Sequence, residues 1–114
     1  MIKVKVEEHK TVSIMHLEGN LFIENLGAII GTWEKLVMKH PHVIAMNCGK
    51  LERIDSSSIG TLVKFLNDAM NKNIKLVFYD LNPSIQQLFI TTRLEKFFSI
   101  TTGPRFHEKY FRSA

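Results

Sequence analysis

The chain has 114 residues, 45% of them hydrophobic and 23% charged, with a formal net charge of +4 at neutral pH. That length suits one domain, predicted over residues 1–114, which can bury a core without disulfides or a structural metal. No run approaches the roughly 20 apolar residues of a membrane span, the N-terminus lacks a signal peptide's apolar stretch, and lone Cys48 can form no internal disulfide, so a cytoplasmic protein is expected.

Ile2, Val4 and Val6 alternate with Lys3, Lys5 and Glu7, and Val12, Ile14, Met15 and Leu17 form a second apolar stretch. The alternation predicts a β-hairpin turning at Glu8–Lys10, with the second strand ending where Gly19-Asn20 breaks the pattern. Leu26, Ile29, Ile30, Trp33, Leu36 and Val37 share one helical face, and this helix should end near His40-Pro41, with Trp33 as a core anchor. A buried strand is expected over 42–48, with Cys48 inside it, followed by a connection from Gly49 to Arg53. Ile59, Leu62, Val63, Leu66, Ala69 and Met70 then recur at helical spacing to about residue 72.

Ile74 to Tyr79 reads as another strand. Asn82-Pro83 supplies an N-cap and a proline at the first helical position, opening a short helix with Ile85, Leu88 and Phe89 inward. A last short strand is predicted over Phe97 to Ile100, and Gly103-Pro104 opens a final helix that packs Phe106, Tyr110 and Phe111 and leaves His107 and Arg112 toward water. The order β-β-α-β-α-β-α-β-α implies an α/β domain: one mixed sheet of about five strands with four to five helices and right-handed crossovers between parallel neighbours.

The most informative segment is Ile54-Asp55-Ser56-Ser57-Ser58-Ile59-Gly60. It places an acid and three hydroxyls at the mouth of an amphipathic helix that follows a strand. Backbone N–H groups are unpaired there and the helix dipole is positive, so Asp or Ser can cap the helix and a phosphate on a serine would be well placed. A plain cap is the simplest reading of such a run taken alone. Thr61, Lys64 and Asp68 point away from the apolar stripe and are candidate contact residues, and Gly60 permits close approach to the backbone.

In this context the chain resembles the STAS domain family, the sulfate transporter and anti-sigma factor antagonist domains, and within it the small free-standing bacterial anti-sigma factor antagonists. The resemblance covers nearly the whole chain. It rests on the order of elements, on Gly19 after the second strand, on Leu51-x-x-Ile54-Asp55-Ser56-Ser57-Ser58-Ile59-Gly60-x-Leu62, and on the later Leu88, Leu94 and Phe97 spacing. It implies a binding protein that sequesters an anti-sigma factor with Ser/Thr kinase activity. That kinase would phosphorylate Ser56, the serine after the motif aspartate, with Ser57 and Ser58 as alternates, and a PP2C-type phosphatase would reset it.

Asp55, Ser57, Ser58, Gly60, Thr61, Lys64 and Phe22 are the expected partner-binding residues. Members of the antagonist group usually carry an acid shortly after the glycine that ends the second strand, whereas this chain reads Gly19-Asn20-Leu21-Phe22. Phe22 offers an apolar contact in its place. It favours a second reading, a STAS adaptor subunit of a transporter or signalling complex in which Ser56 only caps; the intact Asp55-Ser56-Ser57 favours the switch.

Enzyme chemistry finds little footing. No Gly-x-Ser-x-Gly elbow, glycine-rich phosphate loop or dinucleotide fingerprint appears, and His40-x-His42 could bind a metal only if a third ligand converged on it. No catalytic residue, metal or cofactor is expected. The basic residues alternate with acids and carry no nucleic-acid motif, so no direct nucleic-acid contact is expected. A monomer is the default, since no heptad or long apolar edge stands out.

Overall fold

A computed structural model describes residues 2–111. Five strands form one sheet in the order β1-β2-β3-β4-β5, with β1 (Ile2–His9) antiparallel to β2 (Val12–Leu21). From β2 onward all neighbours are parallel: β3 (Val43–Ile54), β4 (Lys75–Tyr79) and β5 (Ser99–Thr101). The four α-helices are α1 (Gly27–Val37), α2 (Ser56–Asn71), α3 (Pro83–Thr91) and α4 (Gly103–Phe111), and a 3-10 turn over Ile23–Asn25 precedes α1. The predicted mixed α/β order is the observed one.

The two sheet faces are covered unequally. Under α1, α2 and α3 lies a continuous apolar layer that includes Met15, Leu17 and Leu21 of β2, Ile44, Met46, Cys48 and Leu51 of β3, and Leu76 and Phe78 of β4. Burial raises the Cys48 thiol far above its ordinary range, so it is an inert packing group. Trp33 closes this layer by stacking on Phe65 with ring centroids 4.6 Å apart, while its indole N–H donates to Asp68 Oδ2 at 2.9 Å. On the opposite face Val12, Ile14, Val43, Ala45, Val77 and Tyr79 pack against Phe106 of α4, with Tyr110 and Phe111 at the margin.

Several boundaries differ from expectation, each for a physical reason. The hairpin turns at Lys10-Thr11, because Glu8 and His9 still pair with Ser13 and Val12. Gly19-Asn20 does not end β2; Gly19 takes φ 107° at a bulge, a conformation open to glycine, and pairing with β3 continues to Leu21. The predicted connection from Gly49 to Arg53 is strand: β3 runs on beside β2 until Ile54 pairs with Leu21. Ile30 and Met70, assigned to inward faces, are 36% and 66% exposed. Phe97 is exposed before β5 begins at Ser99, since only Phe98 turns into the core. The expectation for Arg112 lies outside the described residues.

Candidate functional site

The long β3 delivers Asp55 directly to the start of α2, with no intervening loop. Asp55 is the N-cap, in extended conformation at φ −88° and ψ 164°. Its Oδ1 accepts from the backbone N–H of Ser58 at 2.8 Å and from the Ser58 hydroxyl at 2.6 Å, while Oδ2 accepts from the backbone N–H of Ile23 at 3.0 Å. One carboxylate thus caps α2 and ties it to the turn that follows β2. These donors, the Ser58 hydroxyl foremost, hold the Asp55 carboxyl below its ordinary value, so it is ionised at neutral pH.

The three serines separate cleanly. Ser56 and Ser57, the first two residues of α2, are exposed. Ser58 is fully buried, and its hydroxyl lies 2.6 Å from Asp55 Oδ1 and 2.9 Å from the carbonyl of Leu21. A hydroxyl has one proton, so it serves the closer, charged acceptor. Ser58 was expected as an alternate acceptor and a partner contact; burial corrects both, because its oxygen has no surface to offer while the helix is intact.

The other predicted contact residues are divided in the same way. Lys64 and Gly60 are exposed and Thr61 is half-buried. A Cβ added at Gly60 would meet nothing within 4 Å, so no element of this chain uses its bare backbone and the opening is left to solvent. Asp68 is taken up structurally, accepting from Trp33 and from Lys72 one turn later. Phe22 is half-buried at the head of the 3-10 turn, where its N–H donates to Asn25 Oδ1 at 2.9 Å.

Phe22 and Asp55 line one side of an open cleft of about 600 Å³, and Ser84, Gln87 and Thr91 of α3 line the other, with Arg53 at its margin. Sequence reasoning missed this α3 wall. Its signal was the polar spacing 84, 87, 91 opposite the inward pair Ile85 and Phe89. Asn82 fixes the wall: it caps α3 by accepting from Ile85 N–H at 2.9 Å and donates to the carbonyls of Leu51 and Glu52 at the end of β3. Ile23, 59% exposed beside Phe22, was also missed. Among the described residues no group of three or more His, Cys, Asp or Glu side chains is arranged to hold a metal ion.

The arrangement presents ionised Asp55, two exposed serine hydroxyls and an apolar rim. It suits recognition and modification by a partner. No described helix is long and apolar enough to cross a membrane.

A sequence search finds no match among curated proteins. Solved structures do match in fold. A protein of Thermotoga maritima described as a candidate anti-sigma factor antagonist superposes with a TM-score of 0.83 at 20% identity, over 96% of this chain and 95% of its own. An anti-sigma factor antagonist from Mycobacterium paratuberculosis gives 0.79 at 18% identity, over 88% of this chain and 85% of its own. The Bacillus cell fate determinant SpoIIAA in its phosphorylated form gives 0.73 at 15% identity, over 94% and 98%. The STAS domain profile matches residues 3–109, and the chain belongs to the STAS domain family.

Proposed function

We propose that the chain is a phosphorylation-controlled antagonist of an anti-sigma factor. It binds the anti-sigma factor, itself a Ser/Thr kinase, while Ser56 is unmodified, and releases it when Ser56 carries a phosphate. The observation that supports this reading best is the division of the serine run: Ser56 is exposed at the first position of α2, next to ionised Asp55, while Ser58 is closed in. Fold similarity to SpoIIAA, a protein described in both an unphosphorylated and a phosphorylated form, is consistent with it.

The switch acts through charge at the contact surface. A phosphate adds about −1.5 to −2 charges, and a helix N-terminus tolerates those charges, so α2 stays folded when Ser56 is modified. A partner seated over Ser56, Ser57, Gly60, Thr61 and Lys64 would have to strip water from phosphate and Asp55 carboxylate together. That cost ejects it. A PP2C-type phosphatase restores the binding form, and the protein acts as a cytoplasmic monomer.

Phosphosite mapping after incubation with the partner kinase, followed by affinity measurement, tests the proposal. Ser56→Ala is expected to bind like the unmodified protein and resist phosphorylation, and Ser56→Asp to bind about a hundredfold more weakly. Equal affinity for all forms would overturn the switch. It would leave the second reading, a non-switching adaptor subunit of a transporter or signalling complex, which Phe22 favours by giving the cleft an apolar side next to exposed Ile23.

A further inference from the structure

The sheet face opposite α2 carries a cluster that the switch does not use. Between α4 and the β4–β5 edge lies a recess of about 260 Å³ into which Lys75, Arg105 and Lys109 converge. Its remaining polar lining comes from Ser99 and Thr101. They pair with Val77 and Tyr79, so their side chains lie on the face that α4 covers.

All three basic residues are exposed, and three features suit the recess they line to an anion. First, among the described residues none of the three basic side chains makes an ion pair with an acid; the ion pairs lie elsewhere, at Glu7, Glu8 and Asp68. Second, Lys75 and Lys109 line the same small recess, and the neighbouring Lys109 ammonium, with a smaller part from desolvation, lowers the Lys75 pKa. Like charges lining one recess are unfavourable, and an anion between them turns the repulsion into charge-assisted hydrogen bonds. Third, the Ser99 and Thr101 hydroxyls make no side-chain hydrogen bond within the described chain and are free to donate.

The recess is not purely polar. Tyr110 lines it, with Lys109 Nζ 5.5 Å from the centre of its ring. Two ammonium groups, a guanidinium and two hydroxyls suit a tetrahedral dianion better than a single carboxylate, and the ring beside them offers a flat apolar surface. We infer that this recess binds a small phosphomonoester whose organic group is planar and apolar, with Lys75, Lys109 and Arg105 holding the phosphate and Tyr110 contacting the ring. The site faces away from α2 and its occupancy does not depend on the Ser56 reading.

Phenyl phosphate titrated into the intact protein, followed by amide NMR shifts, tests the inference. Saturable shifts are expected at Ser99, Thr101 and Lys109, with inorganic phosphate binding more weakly and phenol not at all. Lys75→Met and Lys109→Met should each weaken binding about tenfold, and the double variant should abolish it. Either lysine variant relieves repulsion, so its unliganded melting temperature should equal or exceed that of the parent, which separates lost binding from lost fold. The inference is overturned by the absence of saturable shifts, by shifts spread over all surface lysines, or by unchanged affinity in the double variant. Inorganic phosphate binding as tightly as phenyl phosphate would overturn the role given to Tyr110.

Discussion

The face of the sheet beneath α1, α2 and α3 is sealed end to end by apolar side chains, whereas the face beneath α4 is sealed only where Phe106, helped by Tyr110 and Phe111, reaches. Beyond that reach it turns polar: Asn47 donates to His16 Nδ1 at 2.9 Å, and the other His16 ring nitrogen meets Glu7 Oε1, also at 2.9 Å. The contrast explains where a switch can sit. Ser56 stands on the sealed side, at the end of a strand and the start of a helix that the whole core holds in place. A phosphate there would change the surface without changing the fold.

Truncating one aromatic anchor on each face should expose that difference most strongly. Trp33→Ala removes the Phe65 stack and one of the two donors to Asp68, and should cost about 3–5 kcal/mol, a large share of the roughly 5–15 kcal/mol that holds such a domain together. Urea unfolding should show a lower midpoint for the whole molecule. Phe106→Ala should cost about 3 kcal/mol, the lower end for such a truncation, because α4 has no second helix beside it to keep the gap open. Hydrogen exchange should then show α4 losing protection while α2 keeps most of its own. Uniform loss across both helices would mean that the faces form one cooperative unit.

Within the serine run the same contrast appears at smaller scale. Ser58→Ala removes a buried hydroxyl from Asp55 and Leu21 and should cost about 1–2 kcal/mol. Ser57→Ala should be nearly silent in stability, since Ser57 is exposed on the first turn. Thermal unfolding of the two variants side by side checks the ranking; equal losses would contradict the structural role given to Ser58.

The order of elements was legible because parallel strands and amphipathic helices leave different periods in the chain, and Asn82-Pro83 announces α3 by its chemistry alone. The second half of β3 was not. Gly49-Lys50 and Glu52-Arg53 look like a loop, and the buried positions Cys48 and Leu51 are three residues apart, which breaks the two-residue period of a strand. The cause is the shift in pairing opposite His16 to Glu18 and again opposite Gly19 to Asn20, where β3 takes an extra residue each time, a tertiary feature of its pairing with β2. Phe65 was overlooked on α2 although it is buried, because Leu66 beside it satisfied the helical spacing. At the site, the Asp55 cap could be read from residue type. Its bond to Ile23, 32 residues earlier in the chain, could not, and neither could the rank order of three identical side chains.

The smallest effect concerns acid, and it also divides the two faces. Glu7, drawn below its ordinary 4.5 by hydrogen bonds from His9 and His16, and Asp55, drawn below 3.8 by Ser58 and Ile23, both ionise more readily folded than unfolded. Each contribution is therefore complete above those ordinary values and is lost as pH falls through the lower folded ones. Asn is as good an N-cap as Asp, so Asp55→Asn should leave the melting temperature at neutral pH almost unchanged while flattening its fall below about pH 4. Glu7→Gln should flatten the acid limb from a slightly higher pH and leave α2 untouched, because Glu7 bonds only to side chains of β1 and β2. Melting curves of the two variants and their parent between about pH 2 and pH 6 decide the matter. An acid limb unchanged in Asp55→Asn would mean that the cap is equally strong protonated, and that the ionised carboxylate beside Ser56 owes nothing to the fold around it.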